Sequence, residues 1–553
     1  MNKTKCALLF LYNQRKISPQ PYYTENLGVQ YIGAMLRKSQ YDVTIINADY
    51  GRIKSDSIIG MLSEQNYNFV GISPCYLNMS DALIIAHQMK DKFPQVALCL
   101  GGHHATFCCK EILANEKDID YIVMREGEWT ALELLNVLEA SHPSMPHLDQ
   151  LLRIKGLSFR YKDKVFHNES RELVANLNEI PFPVRDPLEK AYIKGQHAMP
   201  LLCTTRGCPA HCSFCSTPNF YGGIWRARSA KNVVDEIQTI LEKYSFTQFY
   251  LTDDQFAGAG QVGRDHVQGI ISEIVSRGLH KEYDLHFFLM VRADFFQLKN
   301  EDIIKKFPVV GFRDVFIGFE SGDTSQLKLY TKGATVHKYR EAIDLLRKHK
   351  LFVEGGFIIF NPYSTFASLK NDAGLIRYLN VPLLGYYTKQ LLAYPGTKLY
   401  SRLIADGMLV HHNYKRIEFK YKDERIAELH SYLDSLFMSV EKLDNMLFES
   451  IDFGIKLRAT LDKIKTPAVF TDAQNFLALA EEKYKRITEL NYDFFCALLE
   501  RFEGPQHLRS FKDLEQRFLS EYKSTCDTVI GKYLELNSVM NIIKGTDQCY
   551  ERM

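Results

Sequence analysis

Three thiols crowd into the stretch "RGCPAHCSFCSTP", where Cys208, Cys212 and Cys215 are spaced C-x3-C-x2-C. Thiolates at this spacing can bind one metal ion or cluster from a single loop. A closed structural zinc site needs four nitrogen or sulfur ligands. His211 and Cys203 stand close enough in the chain to complete one. A four-thiolate iron–sulfur site also needs a fourth cysteine. The other reading is a [4Fe-4S] cluster on three protein thiolates with one iron left open, because an open coordination position is how a metal site engages a substrate. Pro209 would stiffen such a loop, and Phe214 would give the cluster an apolar neighbour that tunes its potential by burial.

The loop follows a strand candidate, "PLLCTT", and a series of strand-and-helix units continues after it. "TQFYLTDDQF", "LHFFLMVRADF", "VFIGFESGD" and "LFVEGGFIIFN" each end in polar residues, and the last member is "QLLAYPGTKLY". Roughly six such units suit a full or partial (β/α) barrel, whose chemistry clusters at the C-terminal mouth. The polar residues that this mouth would gather are Asp253, Asp254, Arg292, Glu320 and Ser321. In front of the barrel, residues 1–140 also alternate short β-rich runs with amphipathic helices, the pattern of a doubly wound parallel sheet. Ligands on such sheets sit beyond the carboxyl ends of the strands. Here that crevice would be lined by Ser73–Met79, Gly101–Thr106 and Glu126–Glu128.

C-x3-C-x2-C with an aromatic before the last cysteine resembles the radical S-adenosylmethionine (SAM) superfamily. The later blocks "LTDDQF" (251–256), "IGFESGD" (317–323) with "LYTKGAT", and "AYPGTKLY" (393–400) are similar in order and kind. The resemblance implies that Cys208, Cys212 and Cys215 hold a [4Fe-4S] cluster whose open iron is chelated by SAM, which is cleaved to a 5′-deoxyadenosyl radical. It places Phe214, Asp253, Asp254, Glu320 and Ser321 about SAM, with Arg292 on its carboxylate or ribose, since guanidinium suits planar carboxylates. Cys203 lies outside the triad and is expected to pack.

The N-terminal segments "ENLGVQYIGAML", "VGIS", "GGHHAT" and "REGEWT" resemble the cobalamin-binding module of one subgroup of that superfamily. The resemblance places cobalamin against Ser73, Gly101, Gly102, His103, His104, Thr106, Glu126, Gly127 and Glu128. Paired glycines let backbone approach a bulky ligand. The subgroup's usual Pro is His103 here, which frees a backbone N–H and adds an imidazole. Asp-x-His-x-x-Gly is absent, so no lower axial ligand is nominated.

These readings lead to four segments: a Rossmann-like cobalamin-binding domain (1–140), a proline-interrupted linker (141–197), a partial (β/α)6 radical SAM barrel (198–404) and a helical C-terminal domain (405–553). The expected activity is C-methylation of an unactivated carbon. The alternative keeps both cofactors but performs cyclisation, ring contraction or rearrangement. A small molecule or peptide is the expected substrate, with an external electron donor such as flavodoxin or ferredoxin. A net charge of +2 argues against nucleic acid, and no run approaches the length of a membrane span. Twelve cysteines not spread as a disulfide framework point to a reducing cytoplasm.

Overall fold

The structure is a computed structural model that describes residues 4–11, 25–48, 53–196, 198–461, 464, 466–504 and 511–551. Tyr12, the last residue of the first predicted strand, lies outside the described residues.

The first sheet is built from β1 (Lys5–Phe10), β2 (Asp42–Asn47), β3 (Phe69–Ser73), β4 (Ala97–Gly101) and β5 (Tyr121–Val123), in the order β2-β1-β3-β4-β5 and all parallel. Its strands are apolar on both faces because helices cover both. Leu9, Ile46 and Val70 pack on one side, and Leu8, Ile45 and Phe69 on the other. Ser73, Gly101 and Val123 therefore end on one carboxyl edge.

The linker expected at 141–197 is not a mere connector. β6 (Leu157–Tyr161) and β7 (Lys164–His167) extend the same sheet antiparallel from β5, giving seven strands. Two residues turn this hairpin, with Lys162 at φ 54°.

The second sheet holds β8 (Leu201–Leu202), β11 (Gln248–Leu251), β12 (His286–Met290), β13 (Phe312–Glu320) and β14 (Phe352–Phe357), parallel in chain order. A parallel bridge between Phe360 and Gln390 stands where a sixth strand would begin. Between β8 and β11, β9 (Thr205–Arg206) and β10 (Arg226–Ala227) pair antiparallel and pinch the base of the cysteine loop. Side chains alternate along the strands. Phe249, Phe287, Val315 and Val353 are buried under the outer helices. Tyr250, Phe288, Phe316 and Glu354 take the opposite, concave face.

After residue 405 the chain was expected to be wholly helical. Three helices of 37, 37 and 40 residues do follow: Glu424–Thr460, Pro467–Glu503 and Lys512–Glu551. Ahead of them, however, β15 (Leu409–His412) and β16 (Ile417–Phe419) form a hairpin whose Tyr414 is buried in the core of the N-terminal domain.

Candidate functional site between the sheet edge and the barrel mouth

The cysteine loop is held by the segments that the sequence placed around it. Ser213 donates its N–H to the Tyr330 carbonyl (2.8 Å) and its hydroxyl to the Leu329 carbonyl (2.7 Å). Leu399, from the Pro-Gly-Thr block, donates to the Ser213 carbonyl at 2.7 Å. Asp254 accepts from the Gly207 N–H (3.2 Å) and the Thr217 hydroxyl (2.9 Å), gripping the loop at both ends. Gly207 has φ +87°, and a Cβ there would sit 2.1 Å from the Ile224 carbonyl oxygen, so only glycine fits the turn. Phe214 packs edge-on against Tyr330, ring centroids 5.4 Å apart.

Within this loop Cys208 lies near enough to Cys212, Cys215 and the Arg292 guanidinium to feel the charge of all three. Burial pushes the Cys208 thiol up to about 11 and also raises Cys215. Buried thiols hold their protons until a metal displaces them. Arg292 brings Nη1 to 3.9 Å from the Cys212 sulfur and donates Nη2 to the Lys332 carbonyl at 3.3 Å. Among the described residues no three His, Cys, Asp or Glu side chains converge on a point for a single ion. A cuboidal cluster asks for no such point, since each thiolate takes its own iron. The donor set fits a cluster held by Cys208, Cys212 and Cys215.

The other expected SAM contacts are already engaged within the protein. Asp253 is fully buried and accepts from the Thr204 N–H (2.7 Å) and hydroxyl (2.9 Å), tying β8 to the end of β11. Burial lifts its carboxyl to about 6, against those bonds. Glu320, at φ +67°, pairs with Lys332 Nζ at 2.8 Å, and both are buried. Ser321 donates its hydroxyl to buried Asp372. Of this group only Asp254 lines the large cavity beside the loop.

That cavity, about 600 Å³, lies between the carboxyl edge of the first sheet and the cysteine loop. Ser73, Gly101, Gly102, His103 and His104 line it, with Glu126, Gly127 and Glu128. Thr106 does not. Its hydroxyl donates to the Gly102 carbonyl (2.8 Å) and accepts from the Arg125 N–H (3.0 Å), shaping the loop from behind. Gly102 has φ +88°, and a Cβ would come within 3.1 Å of the Ser73 hydroxyl, so the edge is kept bare. Such a smooth rim fits a broad, flat ligand like cobalamin, with Ser73 as a polar contact.

The histidines and glutamates expected against cobalamin are committed in large part to other contacts. His104 is buried with Nε2 2.8 Å from the Tyr414 carbonyl. A carbonyl only accepts, so that nitrogen carries the proton and is no metal ligand. The His103 ring stacks on Phe220 at 3.8 Å, and burial holds it below its ordinary value against the pull of Asp254. Glu126 accepts from Arg206 (3.0 Å), from both Arg226 amino groups (2.9 and 3.0 Å) and from the Val174 N–H (2.8 Å). Burial raises its carboxyl, but Arg226 and Arg206 outweigh it and hold the group low. Glu128 takes the second arm of Arg206 at 2.6 Å.

Sequence reasoning missed Arg206, Phe220 and Tyr221, which line the cavity from the barrel side together with Tyr394. Arg206 opens the very stretch that held the cysteines, and its position directly before a left-handed glycine is the signal it offered. Cys203, expected to pack, also reaches the cavity wall, with its thiol 3.1 Å from the Thr205 carbonyl.

The B12 binding domain family matches residues 19–135, and the Radical SAM superfamily matches residues 202–375. The chain is therefore a radical SAM enzyme with an N-terminal cobalamin-binding domain. It is 28% identical over 444 residues to an uncharacterized methyltransferase of Pyrococcus horikoshii, covering 78% of this chain and 91% of that one. It is 24% identical over 329 residues to the anaerobic magnesium-protoporphyrin IX monomethyl ester cyclase of Synechocystis sp., covering 59% of this chain and 62% of the relative. The fold is that of the cobalamin-dependent S-adenosylmethionine radical enzyme OxsB with aqua-cobalamin and S-adenosylmethionine bound, at TM-score 0.69 and 18% identity, over 100% of this chain and 81% of that one. Among the described residues no helix is long and apolar enough to cross a membrane.

Proposed function

We propose that this enzyme transfers a methyl group to an unactivated carbon of a small-molecule or peptide substrate. The observation that carries this reading is the cavity of about 600 Å³ walled by the sheet edge on one side and by the cysteine loop's own neighbours, Arg206, Ser216 and Phe220, on the other. When bound, a [4Fe-4S] cluster with SAM supplies reductive radical generation, and cobalamin supplies a methyl carrier.

The chain's own residues position and enclose. Cys208, Cys212 and Cys215 would hold the cluster, and Arg292 beside Cys212 offers a guanidinium to the carboxylate of SAM. Ser73 and the bare Gly101–Gly102 rim would seat the corrin. His103 on Phe220 closes one side of the space, excluding water from the reacting carbon. His104 Nε2 is spent on the Tyr414 carbonyl, so this nitrogen would not contact the cobalt. Reduction would come from an external flavodoxin or ferredoxin in a reducing compartment.

Anaerobically reconstituted enzyme is expected to hold four irons and to form both S-adenosylhomocysteine and 5′-deoxyadenosine from SAM. The relatedness to a cyclase supports a second reading, in which 5′-deoxyadenosine forms without S-adenosylhomocysteine. Serine in place of all three loop cysteines should abolish both products; persistence of either would sink the proposal.

A further inference from the structure

A second cavity, about 70 Å³, lies at the opposite end of the barrel from the cysteine loop. Its upper wall comes from residues at or near the start of the parallel strands. Gln248 pairs with His286 at the edge, and Tyr250, Phe288, Asp314 and Phe352 pair across the sheet in the next layer. Phe316 pairs with Glu354 one layer further in. The period-2 alternation that buries Phe249, Phe287, Val315 and Val353 outward turns these residues inward. The helix Glu424–Thr460 closes the floor with Phe448, Ile451 and Ile455.

The charges on this wall do not balance. Asp314, Glu354, Glu449 and Asp452 line it, against Lys456 and His286. Lys456 lies 2.6 Å from Asp452, and His286 Nε2 lies 2.6 Å from Asp314 Oδ2. Asp314 is only 7% exposed, yet among the described residues its other oxygen, Oδ1, is buried with no hydrogen-bond partner. A buried carboxylate oxygen without a donor is costly, and native proteins avoid it. Glu354 faces the same cavity, close enough to Asp314 for their charges to interact, and burial followed by Asp314 pushes its carboxyl up to about 7. Lys389 is near enough to oppose this, but among the described residues it makes no ion pair with Glu354, and burial lowers its own basicity. Asp314 Oδ1 and Glu354 are thus two acceptors at one small space, and among the described residues neither meets a hydrogen-bond donor.

The rest of the wall is aromatic. Tyr250 and Phe288 stack with centroids 4.4 Å apart, and Phe352 and Phe448 stand beside them. Carboxylates with ring faces suit an organic cation, which donates hydrogen bonds to the acids and rests its charged methylenes on the π-faces. A hard metal ion would instead require more oxygen ligands around one point.

We infer that the barrel floor, between Asp314 and Glu354, binds an organic ammonium group, carried either by the enzyme's substrate or by a separate small amine. This site lies about 20 Å along β13 from Glu320, given about 3.3 Å per strand residue, so an occupant that also reaches the mouth must be extended.

The test uses the full chain loaded with cluster and cobalamin, titrated calorimetrically with 1,4-diaminobutane, without reductant. The diamine should give saturable binding, while potassium chloride and 1,4-butanediol at matched concentrations should not. Glu354→Gln should weaken the diamine about tenfold or more. Asp314→Asn should do the same, and if losing the His286 partner unfolds that variant, Glu354→Gln carries the test alone. Perdeuterated 1,16-hexadecanediamine, a chain long enough to run from the floor to the mouth, with SAM and reductant then separates the two sources. Deuterium in 5′-deoxyadenosine marks the amine as part of the substrate, and saturable binding of this chain without transfer marks a separate amine. No saturable binding, equal binding of potassium, or an unchanged dissociation constant in a folded Glu354→Gln would overturn the inference. Because binding is read without radical chemistry, such a failure leaves the methyl-transfer reading standing.

Discussion

At the scale of single residues, the barrel mouth and floor are set by carboxylates whose surroundings differ. Glu320 is buried in a left-handed conformation but meets Lys332 at 2.8 Å, so its charge is answered. Removing one partner of a buried pair leaves the other uncompensated, at about 3–5 kcal/mol. Lys332→Met should therefore lower the chaotrope midpoint sharply, and adding Glu320→Gln should recover much of the loss in a double-mutant cycle. Among the described residues Glu354 has no such partner. Its folded-state pKa of about 7 stands above the 4.5 of an ordinary glutamate, so folding favours the proton. That contribution is complete below pH 4.5 and is lost as pH rises through 7. In amine-free buffer, Glu354→Gln should melt above the parent at pH 8, with the difference shrinking towards pH 5. A constant difference across that range would mean that Glu354 does not titrate there.

At the scale of elements, the β15–β16 hairpin is the part least visible in the sequence and among the most consequential for the cavity. Tyr76 donates its hydroxyl to the Ile417 carbonyl (3.1 Å) and accepts from the Ile417 N–H (2.6 Å). Tyr414 sits in the N-terminal core, its hydroxyl on Glu116 and its carbonyl on His104. A two-stranded ribbon is marginal alone, so this one exists because it docks. Tyr414→Ala should remove a buried aromatic at about 3–5 kcal/mol. It should expose 409–419 to limited proteolysis and speed cobalamin loss on gel filtration, with iron content unchanged. "LVHH" and "IEF" carry no alternation that would announce strands, because most of their residues face solvent. The β6–β7 hairpin escaped notice for a different reason. Its turn is Lys162–Asp163 rather than an Asn-Gly type, and nearby prolines dominated the reading. By contrast, the five parallel strands of the first sheet and the cysteine loop were legible, because double-sided burial and ligand spacing are both written locally. Asp253 and Ser321 were placed at the right strand ends, but whether such a side chain turns to a ligand or to a partner within the protein depends on Thr204 and Asp372, far away in sequence.

At the scale of the whole molecule, the two sheets are joined by buried ion pairs rather than by apolar packing alone. Arg206 reaches from the base of the cysteine loop to Glu126 and Glu128, Arg226 adds a second grip on Glu126, and Arg185 spans Glu25 and Glu236. An apolar interface tolerates sliding, whereas forked guanidinium–carboxylate pairs fix position and angle together. Such registry is what a reaction shared between two cofactors requires, since a misplacement of about 1 Å can cost 10²-fold in rate. Glu126→Gln keeps the shape of the side chain but leaves Arg206 and Arg226 facing a neutral amide. The barrel retains its loop anchors at Asp254, Tyr330 and Leu399, so 5′-deoxyadenosine should still form at near the parent rate. Formation of S-adenosylhomocysteine, which needs the first sheet held against the loop, should fall by about tenfold or more. Equal loss of both products would instead show that the clamp supports the cysteine loop itself, and unchanged yields of both would show that the domains find their register without it.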